Sequence, residues 1–286
     1  MGQAPSGLLD AFLQFLNRFR AVLSLPQKTQ SRNLHSPSIA IMNQSKQNPV
    51  VVVMGAGNAT GSAVARRFAS EGYTACVSRR NEEKLQPLIQ SIEEAGGQAR
   101  AFGADARKEE QVQAMFRTIE EEIGPIEVCV FNVGGNVKFP LEETTSRVYY
   151  KVWEMGCFAG FLTGREAVRY MRPRGRGTIL FTGATGSMRG ASGFAAFSGA
   201  KFGLRSLAQS MAREFGPLGI HVAHVIIDGA IDTEWIEELF PETYAKKKDD
   251  GILKPEEIAE VYWQLHLQKR SAWTQEMDLR PWVEPF

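Results

Sequence analysis

From residue 49 onward, short apolar runs alternate with stretches of helical period. "VVVVM" (50–54) is an unbroken apolar run that stops at glycines, and the amphipathic "SAVARRFASEGY" follows it. "TACVS" reads as a second strand, followed by the charged helix "NEEKLQPLIQSIEEAGG". "QARAFGAD" reads as a third, followed by the helix "KEEQVQAMFRTIEEEIG". "IEVCVFN" predicts a fourth strand, and one long helix is expected over residues 145–171. "GTILFTG" and "IHVAHVII" predict the fifth and sixth strands, with a helix around Lys201 between them. "AWTQEMDL" is a last strand-like piece. Strands made of Val, Ile, Phe and Cys, separated by helices, predict a parallel sheet buried on both faces. The expected architecture is an α/β, doubly wound single domain over residues 49–286, with a central, mostly parallel sheet of about seven strands.

The first 48 residues follow a different pattern. Residues 8–23 place Leu8, Leu9, Phe12, Phe15, Leu16, Phe19, Val22 and Leu23 at helical spacing, with Arg18 and Arg20 off that face. A Ser-, Asn- and Gln-rich linker follows. Five Lys/Arg against Asp10 alone give this segment +4, so the other 238 residues carry −3 of the chain's +1. A basic, acid-poor, amphipathic start is similar to a mitochondrial presequence. "MGQAPS" also matches the myristoylation pattern through Gly2 and Ser6, which would make the protein cytoplasmic and membrane-associated. A flexible tail is the third reading.

Composition narrows the class. With 286 residues, 43% hydrophobic and 23% charged, the chain has the make-up of a globular protein. A net charge of +1 gives no nucleic-acid footprint. No run of 18 apolar residues occurs, so no integral membrane segment is expected. Cys76, Cys129 and Cys157 lack ligand spacing and are expected as reduced core residues. No metal site is expected.

In doubly wound folds ligands bind at the carboxyl ends of the strands. Behind strand one, Gly55, Gly57 and Gly61, with Asn58 and Ala59, form a glycine-rich turn before a helix, which suits a pyrophosphate. The spacing is one residue longer than the standard dinucleotide fingerprint. Behind strand two, an NAD site would place an acid; here stand Ser78, Arg79 and Arg80, which suit a 2′-phosphate. NADP(H) is therefore expected over NAD(H). Behind strand three, Asp105, followed by Ala106, could accept from an adenine amino group or cap the next helix. Behind strand four, Asn132 and Gly134 let the backbone pass close to a cofactor.

These motifs together resemble the short-chain dehydrogenase/reductase family. Gly55-x-x-x-Ala59-x-Gly61, "FNVGG", "FSGAK" and "DGAIDT" (228–233) stand, in order, where that family has its glycine motif, Asn-Asn-Ala-Gly, Tyr-x-x-x-Lys and Pro-Gly-x-Ile-x-Thr. The resemblance implies a Rossmann-like domain, a nicotinamide cofactor, a small-molecule substrate and a homodimer or homotetramer. It also implies cofactor contacts from Ile231, Thr233 and Lys201.

The family's proton-handling set is Asn-Ser-Tyr-Lys. Its first three positions fall here on Gly156, Gly183 and Phe197, leaving Lys201 alone. Phe194 stands where some relatives carry a displaced tyrosine. Phe194, Phe197 and Phe202 are expected to line an apolar substrate pocket beside Gly156 and Gly183, and Asp228, in place of the family's proline, is a candidate ionisable group. The favoured function is an NADP(H)-dependent oxidoreductase with altered proton chemistry. The proton would come from Thr182, Thr185, Ser187, Tyr149, Tyr150, Asp228 or water. A non-turning-over NADP(H) sensor or oligomer partner is the alternative, and a non-redox lyase or isomerase a further one.

Overall fold

A computed structural model describes residues 47–284. The readings of the N-terminal helix, Gly2 and the presequence lie outside the described residues. β1 (Val50–Met54), β2 (Thr74–Arg79), β3 (Gln98–Gly103), β4 (Ile126–Phe131), β5 (Gly177–Thr182), β6 (Ile220–Ile227) and β7 (Glu276–Leu279) form one sheet in the order β3-β2-β1-β4-β5-β6-β7. All six pairings are parallel. Strand order reverses between β1 and β4, which opens a crevice at their carboxyl ends.

Alternate residues of each strand feed two cores. Val51 and Val53 pack with Phe68, Ile92 and Tyr262, from α1 (Thr60–Ala69), α2 (Gln86–Glu94) and α9 (Pro255–Leu267). Val50, Val52 and Met54 pack with Phe116, Met171, Leu204 and Met211. Those belong to α3 (Glu109–Thr118), α5 (Ala159–Met171) and α6 (Ala195–Phe215) on the other face. Cys76 and Cys129 lie buried in the sheet, and all three cysteines are free thiols. Two short helices, α7 (Glu234–Leu239) and α8 (Pro241–Tyr244), follow β6.

Three sequence expectations need correction. The single long helix is α4 (Ser146–Trp153) and α5 joined by one wider π-type turn at Glu154–Phe158. Such a turn inserts a residue into the helical ladder and commonly marks a functional site; here it carries Gly156. The strands are not uniformly apolar. β3, at the sheet edge, is only half-covered, so its polar residues face water. β6 is wholly buried yet carries His221 and His224.

These histidines, with His266 on α9, find specific partners. His221 Nε2 donates to the Thr274 carbonyl (2.8 Å), and its ring stacks on Trp273. His266 bridges Tyr73 Oη (2.7 Å) and Thr178 Oγ1 (2.9 Å). Burial lowers all three pKa values, that of His266 to about 4. A histidine depressed in the fold takes up its proton more readily in the unfolded chain. Its contribution to stability is therefore complete above the unfolded value, near 6.5, and is lost as pH falls towards about 4. Urea unfolding at pH 7.5 and pH 5 checks this: the midpoint is expected to drop at pH 5, and to drop less in His266→Gln.

Candidate active site

The crevice is built on backbone proximity. Gly55 has φ +92°, and its carbonyl accepts from Asn132 Nδ2 at 3.0 Å. A Cβ at Gly61 would lie 2.5 Å from the Gly55 carbonyl oxygen and 2.8 Å from Ala56 Cα, so the start of α1 can seat on this turn only without a side chain. No side chain caps α1, which leaves its first amide groups for a ligand. Gly57 and Gly134 border open space.

These residues line a cleft of about 530 Å³ together with Ser78, Arg79, Arg80, Lys84, Asp105, Ala106 and Asn132. The arrangement can hold an adenine nucleotide, with α1 facing the phosphates. At the end of β2, Arg79 lies 3.4 Å from Asn58 Oδ1, and the nearby Glu82 is taken up by the Gly103 amide (2.8 Å). Asp105 is not the cap of α3; Lys108 holds that position. Asp105 instead accepts two bonds from the Arg107 guanidinium (2.6 and 2.9 Å), which hold its carboxyl below the usual range. Asn58 and Ala59 also border a second opening with Asp232, Thr233 and Tyr244. There Thr233 caps α7, accepting from Ile236 N, and Ile231 forms a bridge to Leu253.

The far side of the crevice carries Lys201 and Asp228. Lys201 is buried, and its Nζ donates to the Thr182 carbonyl at 2.8 Å. Burial lowers its pKa to about 8. Thr182 Oγ1 is paired with Tyr262 Oη at 2.8 Å. Asp228 is fully buried. It accepts from Thr185 Oγ1 (2.5 Å) and Arg280 Nη2 (2.9 Å), with Arg189 3.4 Å away. Thr185 and Asp228 are thus tied to each other, whereas Thr182 pairs with Tyr262. Tyr149 and Tyr150 are exposed, and Tyr149 lies over Gly199. Phe194 and Phe197 meet edge to face at 6.5 Å, and Phe197 covers Gly186. Phe202 is 42% exposed. Gly156 seats closely on α6, where a Cβ would lie 3.1 Å from Ala200 Cβ.

Gly183 borders a residue that the sequence reading passed over. A Cβ there would overlap the His224 ring, 2.6 Å from Cε1 and closer to Nε2, and would come within 3.1 Å of Ser187 Oγ. His224 Nδ1 meets Glu276 Oε2 at 3.1 Å, and Glu276 is clamped by Arg205 through Nε (2.7 Å) and Nη2 (2.5 Å). Nε2 of His224 has no hydrogen-bond partner. The signal available in the sequence was a pair of histidines inside an otherwise apolar strand.

The short chain dehydrogenase family model matches residues 49–243. The chain belongs to the short-chain dehydrogenase/reductase family. A short-chain dehydrogenase of Rhodopseudomonas palustris of known structure is 50% identical, with a TM-score of 0.72, over 82% of this chain and 100% of that one. A short-chain dehydrogenase/reductase of Armillaria gallica is 32% identical over 62% of this chain and 69% of its own length. A metagenomic short-chain oxidoreductase solved with NADP shares the fold at 24% identity, with a TM-score of 0.71, over 82% of this chain and 97% of that one.

Gly183 thus has a physical reason: an imidazole from the neighbouring strand fills the space that a side chain there would need. Gly183→Ser is therefore expected to cost about 1–3 kcal/mol through overpacking. In a His224→Ala background the same change is expected to cost less, as contacting residues couple. Thermal or urea unfolding of the two single variants and the double variant measures the difference.

Proposed function

We propose that the chain is an NADP(H)-dependent oxidoreductase whose proton handling departs from the family's tyrosine-based set. The observation that carries this reading is the cleft at the strand-order reversal, with Ser78, Arg79, Arg80 and Lys84 on its wall and no free acid at the end of β2. Arginine presents a planar fork that matches a phosphate, which suits a 2′-phosphate, and it has no acceptor for the protons of a pair of ribose hydroxyls. Gly55, Gly57 and the uncapped start of α1 would hold the pyrophosphate, and Asp105 and Asn132 the adenosine side. Thr233, Ile231 and Lys201 would hold the nicotinamide half. When bound, the nicotinamide supplies a hydride donor or acceptor. Lys201 presents a cation at the ribose, because a pKa of about 8 leaves it mostly charged at pH 7.

The apolar Phe194–Phe197 wall favours a substrate with a hydrophobic surface. The exposed aromatic face of Tyr149, Trp153, Phe161 and Phe202, on α4, α5 and α6, suits a homodimer contact. A second reading, nucleotide binding without turnover, is favoured by the phenyl ring at Phe197. It can neither give nor take a proton, and general acid catalysis is typically worth roughly 10²–10⁴-fold.

Nucleotide titration followed by intrinsic fluorescence tests the cofactor. NADPH is expected to bind more tightly than NADH, and the Arg79→Ala/Arg80→Ala double variant to lose about tenfold or more for NADPH while NADH changes little. Equal affinities in the unaltered protein would overturn the preference. Phe197→Tyr alone is expected to give no strong reduction of generic ketones, because Gly156 and Gly183 leave the family's set incomplete. Nicotinamide absorbance measures it.

A further inference from the structure

The ammonium of Lys201 and the imidazole of His224 meet around one peptide. Nζ of Lys201 donates to the Thr182 carbonyl, and the next residue, Gly183, is the one whose missing side chain makes room for His224 Nε2. Both groups are buried, Lys201 at 4% exposure and His224 at 0%. Their needs are complementary. An ammonium has three donors. A buried imidazole nitrogen without a partner is costly and calls for an explanation.

The orientation of the ring is set from behind. Glu276, held low by its paired Arg205 against the opposing effect of burial, faces Nδ1. A carboxylate can only accept, so Nδ1 carries the proton and Nε2 presents its lone pair. Burial keeps the ring from charging, and the nearby cations Lys201 and Arg205 act in the same direction against the pull of Glu276. The groups facing His224 are therefore Glu276 from β7, Lys201 and Arg205 from α6, and Ser187 from the turn after β5.

We propose that His224 is a positioning residue for Lys201: its Nε2 accepts a hydrogen bond from the Lys201 ammonium through one bridging water, as an acceptor backed by Glu276 and Arg205. An acceptor lone pair stabilises the charged form of the lysine. His224 thereby opposes the desolvation that would otherwise neutralise Lys201, and keeps a cation at the ribose end of the site. The proposal rests on the reading of Lys201 as a cofactor ligand, but its test uses the full-length chain without nucleotide, so failure of NADP(H) binding and failure of this contact are separate results.

The Cε resonance of Lys201 in lysine-labelled protein reports its titration by NMR. Burial alone places the midpoint near pH 8, and with the His224 contact the midpoint of the unaltered chain is expected above that value. In His224→Leu it is expected at least one pH unit lower, a tenfold change in the protonation equilibrium. In His224→Gln, whose amide oxygen restores an acceptor at a similar reach, it is expected to recover. A merely structural role would lower the melting temperature of both variants without moving this midpoint, and an unmoved midpoint in folded His224→Leu would overturn the proposal. Should that variant not fold, nitrogen NMR of the unaltered protein decides. His224 is expected as the Nδ1–H tautomer, with its Nε2 resonance moving as Lys201 titrates. The opposite tautomer, or a resonance unmoved through that titration, would overturn it.

Discussion

A cation buried at the end of β5 sets the terms for everything around it. Lys201 reaches the Thr182 carbonyl from inside the longest helix of the described residues, and a buried charge is tolerable only where acceptors surround it. Thr182 is in turn fixed by Tyr262 from the opposite face of the sheet. The chain must then leave β5 at Gly183 with no side chain, since His224 occupies the space beyond it. Strand, helix and turn are therefore held in register by one polar junction rather than by apolar packing alone.

That junction sits across the crevice from the nucleotide cleft, and the two halves follow different physical rules. The cleft is a matter of backbone approach: Gly55, Gly61 and Asn132 bring three chain segments close enough that an added Cβ would collide. The proton side is a matter of pairing buried charges. Asp228 binds Thr185 and Arg280 and thereby ties the turn after β5 to the end of β7, while Glu276 binds Arg205 and His224 between β7, α6 and β6. β7 is short and half-exposed, yet it supplies the anchors for both arrays.

The cleft half was legible in the sequence because its determinants are local. A glycine run behind an apolar run, or two arginines where an acid would stand, lie within a few residues of one another. The parallel, doubly wound sheet also follows from apolar runs alternating with helical period. The junction half was not legible, because Arg205, His224 and Glu276 come from three separate segments and meet only after the sheet closes. The kink at Gly156 escaped notice for another reason: a π-type turn preserves the helical pattern on either side and changes only the phase.

The pairing of the buried charges bears on why they stand there at all. Phe197, Gly156 and Gly183 give no reason of their own to keep a lysine, a histidine, a glutamate and an aspartate in or beside the same interior. Replacing a buried ionic array with apolar groups of similar volume is often neutral or stabilising, whereas losing one partner is costly. An interior without a task would thus be served as well by leucine and methionine. Instead Glu276 and Asp228 are matched to arginines, His224 to Glu276, and Lys201 to a carbonyl with an imidazole nearby. Each charge in this interior is matched by a partner from a different segment, so the array holds β5, β6, β7 and α6 together as one unit.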